Sequence, residues 1–188
     1  GTFQIKTTDS ATVTIDQNTS VAGVTINAGS VAYLTVKTTS GADSITVSAG
    51  IGTGIVVTAY DINGIVATGY SGIKSLRFSG PLVGPEGRLP RVNTTVIGNP
   101  RNVNFANGVS SDSLTLNVYN AETTALDADD GTYSSLGSDA YDLDLIVAPA
   151  PANKLKFSTS PSARVLAAVI WPSFSVGIYD TYGNLRNL

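Results

Sequence analysis

The stretch VTAYDINGIVATGYSGIKSLRFSG, residues 57–80, decides the fold. It begins and ends with apolar and polar residues in alternation, the period of a half-buried strand. Between them, Asp61 and Asn63 can bond their own backbone in a turn, and Gly64 tolerates positive φ. Gly69 and Gly72 flank Tyr70, so the chain is expected to bend around an aromatic ring. That ring should sit at a sandwich edge, with its hydroxyl wet or bonded to backbone. The stretch reads as the second strand, a turn and the third strand of one β unit.

The same opening returns as VGIYDTYGNL at 176–185, with Tyr179-Asp180 repeating Tyr60-Asp61 at an offset of 119. Upstream, AYLTVKTTS at 32–40 matches NKLKFSTSP at 153–161 at an offset of 121. Self-similarity at a fixed spacing is the mark of repeated units. Residues 32–150 then form one complete unit. Residues 1–31 are the closing strands of a preceding unit or an N-terminal strap. Residues 151–188 are the first strands of a following, truncated unit. APAPAN at 148–153 is the linker, and its prolines stiffen it.

Further alternating runs are ATVTID (11–16), GVTIN (23–27), SITVSA (44–49), SLTLNVY (113–119) and YDLDLIV (141–147). Each is short and bounded by turn residues, which predicts an all-β, antiparallel sandwich. PSARVLAAVI at 161–170 is expected to be extended, because it ends in β-branched residues before Pro172.

Composition narrows the chemistry. The 188 residues include no Cys, His or Met, and carry a net charge of −3. A Ser-His-Asp triad, thiolate metal sites and the common zinc ligand sets are therefore excluded. The acidic balance argues against nucleic acid, which wants a basic face. No apolar run is long enough to span a bilayer as a helix. A chain that begins at Gly1 and lacks a signal peptide is expected to be a mature or trimmed form.

The strand ending in Tyr-Asp, the Gly turn, TGYSG and FSGP resemble the bacterial Ig-like repeats of large cell-surface and S-layer proteins. The matching residues are Asp61, Gly64, Thr68, Gly69, Tyr70, Gly72 and Phe78, followed by Gly108-Val109, YNAETTALDADD from Tyr119 and the closing pattern from Val147 to Phe157. Ile65 departs from the Asn usual there, whereas the second copy keeps Asn184. The resemblance implies tandem Ig-like sandwiches in a modular extracellular protein of the S-layer or cell wall. It implies self-assembly and spacing, with other copies or neighbouring modules as partners, and no enzymatic reaction. The alternative is an adhesin or carbohydrate-binding module. Cell-surface glycan would then be the partner, on Tyr133 and Tyr141.

The best candidate site is LDADDGTYSSLGSDAYDLD, residues 126–144. Asp127, Asp129, Asp130, Asp139 and Asp142 could supply oxygens to calcium if a hairpin brings the two acidic groups together. Glu122 is a further carboxylate, and Asp61 and Asp180 are weaker candidates at the unit junctions. The missing terminal Glu rules out an EF-hand. The alternative is a solvated acidic hairpin that keeps an edge strand from mispairing. Glu86 and Glu122 lack the aromatic cleft of a glycosidase pair. Arg88 and Arg91 are expected to pair with acids of a neighbouring module. Asn18 and Asn93 lie in glycosylation sequons.

Overall fold

The computed structural model describes residues 29–160, 167, 169–170 and 173–186. The expected strands at 11–16 and 23–27, and most of 161–170, lie outside the described residues. Among the described residues all regular structure is β.

One layer of the sandwich starts from β1 (Val31–Thr38) and β3 (Thr53–Asp61), which pair antiparallel with Leu34 opposite Ala59 and Val36 opposite Val57. It continues through β9 (Leu114–Asn117) to β5 (Arg91–Val92) and β6 (Thr95–Val96). The other layer runs β2 (Ser44–Ser48), β11 (Leu143–Ala148), β10 (Thr123–Asp129), β4 (Gly72–Ser79) and β7 (Pro100–Ala106). The short strand β8 (Val109–Ser110) pairs with both β7 and β3 and joins the layers along one side. Leu34, Val36, Ile55 and Val57 face Leu76, Phe78, Leu126, Leu143 and Leu145 across a buried core. In β3 and β11 burial alternates residue by residue, as a strand packed on one face requires.

Residues 57–80 thus supply most of β3 and all of β4, the third and fourth strands of the unit rather than the second and third. SITVS forms β2 by itself. β3 and β4 do not pair with each other but lie in opposite layers, so the Asp61–Ser71 connection crosses the sandwich edge. One pairing departs from the antiparallel expectation: β2 and β11 run parallel, Ser44 beside Asp144 through Ser48 beside Ala148. Period-two alternation reports which face of a strand is buried. It carries no information about the direction of the neighbouring strand.

A second, two-stranded sheet pairs β12 (Ala152–Thr159) with β13 (Ser175–Asp180). Its register repeats that of β1 and β3. Val31 lies opposite Asp61 and Tyr33 opposite Tyr60; Ala152 lies opposite Asp180 and Lys154 opposite Tyr179. The first irregularity falls at the same step in both, and β12–β13 has a second between Phe157 and Thr159 that β1–β3 lacks. The bridge from Tyr60 to Val66 likewise returns as Tyr179 to Leu185. The sequence repeat is therefore a repeat of backbone geometry.

Candidate functional site

The two ends of the sandwich carry the same device. At the entry, Asp61 is buried and takes three backbone N–H groups. Asn63 and Ile65 each donate to Oδ1 at 2.9 Å, and Gly29, just before β1, donates to Oδ2 at 2.8 Å. At the exit, Asp180 is also buried. Tyr182 and Asn184 donate to its Oδ1 at 2.8 and 2.9 Å, while Ala150, just before β12, donates to Oδ2 at 2.8 Å. In each case one carboxylate closes its own turn and also ties down the chain entering the unit. Gly64 and Gly183 complete these turns with φ of 76° and 88°.

Electrostatics follow from the donors. The Gly29 N–H, more than any other contact, holds the Asp61 carboxyl below the usual carboxylate range. Burial by itself would raise the Asp180 carboxyl. The side chain and backbone of Asn184 and the N–H groups of Ala150 and Tyr182 outweigh it and hold that carboxyl low as well. With both oxygens of each Asp taken by N–H donors, neither presents the open acceptor face that a cation wants.

The exit junction has further parts that the entry lacks among the described residues. Asn184 accepts from Ala121 N–H at 2.8 Å and donates to the Tyr119 carbonyl at 2.9 Å and to Asp180 Oδ2 at 2.8 Å. One buried amide therefore bridges the turn of the second hairpin to the β9–β10 connection of the sandwich. At the equivalent entry position stands Ile65, which has no polar group to do this. The Tyr182 ring meets Tyr119 with centroids 5.1 Å apart. The Tyr182 hydroxyl lies over Gly50, where an added Cβ would clash with it. Glu86 binds both Lys154 and Lys156 of β12, the latter at 2.8 Å, and these pairs pull its carboxyl down to about 2.

The charged cross-connection therefore uses Glu86 and two lysines rather than Arg88 and Arg91. Arg88 lies over the Tyr119 ring, 5.9 Å from its centroid, and Arg91 bonds the Thr94 carbonyl at 2.7 Å. Glu122 accepts from Leu82 N–H at 2.9 Å. Sequence reasoning found the two Asp turns and singled out Asn184 and Glu86 without these roles, and it missed Ala150 and Tyr182. The available signal was Asn184, which differs from Ile65 at an otherwise repeated position.

The acidic stretch forms the expected hairpin. β10 and β11 pair with Ala125 opposite Asp144 and Leu126 opposite Leu143. Their connection lies along β1, where Leu34 N–H donates to the Ser134 carbonyl at 3.3 Å and Val36 N–H to the Tyr141 carbonyl at 2.8 Å. The acidic hairpin thus covers the edge of β1 and leaves no template there for another strand.

Its carboxylates are held in different ways. Asp129 accepts from Gly131 N–H. Asp130 accepts from Thr132 and Tyr133 N–H at 2.8 and 2.7 Å and from the Tyr70 hydroxyl. Tyr70, buried edge-on against Phe105, therefore bonds a carboxylate instead of water or backbone. Asp127 accepts from the Ser135 hydroxyl at 3.1 Å, yet burial pushes its carboxyl up. Burial and the charges of Asp127, Asp144 and Asp139 push Asp142 up too, and its buried Oδ1 has no hydrogen-bond partner. Asp139 is exposed. Among the described residues no three acidic side chains meet closely enough to hold a metal ion.

Tyr133 and Tyr141 do not stack on each other. Tyr133 meets Tyr70 edge-on, and Tyr141 stacks on Tyr33 at 4.0 Å. Asn93 sits in a positive-φ turn and uses its amide to donate to the Ser113 carbonyl at 3.0 Å; Asn18 lies outside the described residues. No helix among the described residues is long and apolar enough to cross a membrane.

No family model matches the chain, and no curated protein matches it in sequence. Among solved structures, the surface layer protein SbsC, domains 1-6, is similar over 83% of this chain and 17% of its own, with 15% identity and a TM-score of 0.37. The chain thus spans under a fifth of that protein's length, and likeness at this level leaves the role to be argued from the junction itself.

Proposed function

We propose that the chain is a structural segment of an extracellular surface array, in which tandem Ig-like sandwiches are held at a fixed spacing and orientation. The exit junction carries this reading. A two-stranded ribbon is marginal alone, so β12–β13 depends on what it docks against. Here a buried carboxylate, a buried amide and an aromatic pair fix it to the end of the sandwich. A flexible string of beads has no use for such a joint, whereas a spacer in a lattice does. Partial alignment of the chain in solution tests it. Residual dipolar couplings of residues 31–148 and of β12–β13 should fit one alignment tensor. Two independent tensors would overturn the rigid-spacer reading. Antibody labelling of intact cells checks the surface location, and labelling only after lysis would refute it.

Calcium in the acidic hairpin belongs to the same proposal. Asp127 and Asp142 are the residues an ion would relieve, since both carboxyls are pushed up and Asp142 has an unpartnered oxygen. Such an ion would take the rest of its oxygens from loop carbonyls and water. Calorimetry should show calcium heat that Asp142→Asn removes. No heat, with no thermal shift on chelation, would sink the metal.

A further inference from the structure

At the entry end of the sandwich three connections meet around a cavity of about 460 Å³. The chain entering β1 supplies Ser30 to its wall. The β3–β4 crossing supplies Tyr70, with Lys74 following on β4, and the turn of the acidic hairpin supplies Asp130 and Tyr133. That volume falls in the range of about 300–1,000 Å³ typical of small-ligand sites. Ser30, Gly69 and Thr132 line it and are exposed, so the cavity opens to solvent. It takes no part in the Asp180 joint, which lies at the other end of the sandwich.

The walls are held in place before any ligand arrives. Asp130 Oδ1 accepts from the Thr132 and Tyr133 N–H groups, and Oδ2 accepts from the Tyr70 hydroxyl. Burial, and then the Asp130 carboxylate, push that hydroxyl up, so it stays protonated and donating. The Tyr70 ring is set edge-on against Phe105 and Tyr133, with centroids 4.8 and 6.3 Å apart. Groups fixed in this way lose little freedom on binding.

The polar capacity left over selects the ligand. Asp130 Oδ2 takes a single donor and keeps room to accept another. Lys74 Nζ lies 4.5 Å from the Tyr70 ring centroid and pairs with no carboxylate among the described residues, so its N–H groups can serve a ligand. The hydroxyls of Ser30 and Thr132 both donate and accept. One positive and one negative side chain leave the cavity without net charge. An anion would be repelled by Asp130 and a cation by Lys74. A neutral molecule dense in hydroxyls can donate to Asp130 and accept from Lys74 without either penalty. Tyr133 adds an aromatic surface for its C–H groups.

We propose that this cavity binds one neutral pyranose unit of a glycan, with Tyr133 against the sugar ring, Asp130 accepting from one hydroxyl and Lys74 donating to another. Tyr133 and Tyr141, the pair expected for a sugar, are not the pair that the fold assembles, because Tyr141 is stacked on Tyr33. Tyr70, Lys74 and Asp130 join Tyr133 instead. The site does not depend on the rigid joint at Asp180, and its loss would leave the spacer reading untouched.

Amide chemical shifts of the full chain, titrated with the methyl glycosides of glucose, galactose, mannose and N-acetylglucosamine, test the assignment. At least one of the four should move Gly69, Thr132 and Tyr133 together and saturate. A tetrasaccharide of that sugar should bind at least as tightly, and glucuronate and inorganic phosphate more weakly. Lys74→Gln and Tyr133→Ala should each weaken binding about tenfold or more, with amide protection of β1 and β3 intact. Tyr141→Ala should leave it unchanged. If Tyr133→Ala loses that protection, Lys74→Gln, at a half-exposed side chain, decides alone. Several results would overturn the proposal: no shift with any of the four sugars, shifts centred on Tyr33 and Tyr141, or a preference for glucuronate or phosphate. Exclusion of the tetrasaccharide, or full affinity in folded Lys74→Gln, would do the same.

Discussion

Replacing Asp180 by Ala should release β12–β13 from the sandwich while leaving the sandwich folded. The substitution removes acceptors for the N–H groups of Ala150, Tyr182 and Asn184 and for the Asn184 amide, all at a buried site. Bonds to a charged acceptor contribute more than neutral ones, and stranded buried donors add a desolvation cost. A local loss of about 3–5 kcal/mol is expected, with cooperation among the bonds keeping it below their simple sum. Amide exchange of β12–β13 should accelerate accordingly, while Leu34 and Val57 keep their protection. Unchanged exchange at Tyr182 and Asn184 would show that the carboxylate is not the clasp.

Acid should mimic that substitution. Asp180 and Asp61 have carboxyls held below their unfolded values. The folded state therefore binds fewer protons at these sites, and their stabilisation is present above the unfolded value of about 3.9. It is lost as pH falls through the lower folded values. Asp127 and Asp142 behave oppositely, because their carboxyls are raised. Their charged forms are a cost to the fold, absent below the unfolded value and imposed as pH rises through the folded one. Exchange followed from neutral pH into acid should therefore show the acidic hairpin gaining protection before the two Asp clasps lose theirs. Simultaneous loss at both places would contradict these assignments.

The second large effect is an asymmetry between repeat equivalents. Leu34 and Leu155 occupy the same register position, but one is wholly buried and the other 70% exposed. Leu34→Ala should cost about 2–5 kcal/mol of unfolding free energy, the range for a buried Leu that leaves a cavity. Leu155→Ala in dilute chain should fall within about 0.5 kcal/mol of wild type. Urea unfolding measures both. Equal costs would mean that the ribbon face is already covered within one chain.

Much of this was legible in the residues. The offset between the two Tyr-Asp turns predicted the repeat, and β12–β13 reproduces the β1–β3 register through the first irregularity, departing from it only between Phe157 and Thr159. The acidic run predicted a hairpin, and β10–β11 is one. What those acids do was not legible. Asp130, read as a candidate calcium oxygen, also holds Tyr70, sixty positions away, and the Ser134 and Tyr141 carbonyls serve the edge of β1. Asp61 and Asp180 looked like turn formers, and they are, but each also holds the strand entering its unit.

The sequence by itself determined the all-β class, the strand faces and the repeat, because alternation and turn chemistry act over a few neighbouring residues. Only the tertiary structure decided the parallel β2–β11 pair, the crossing from β3 to β4, and the buried bridge of Asn184 to Tyr119 and Ala121. These join residues far apart in the chain, and their partners are chosen by packing and by the cost of leaving buried polar groups unpaired. The Tyr-Asp turn of residues 57–80 declares itself locally. That its twin at Asp180 also holds the chain entering β12 required the fold to bring Ala150 to it.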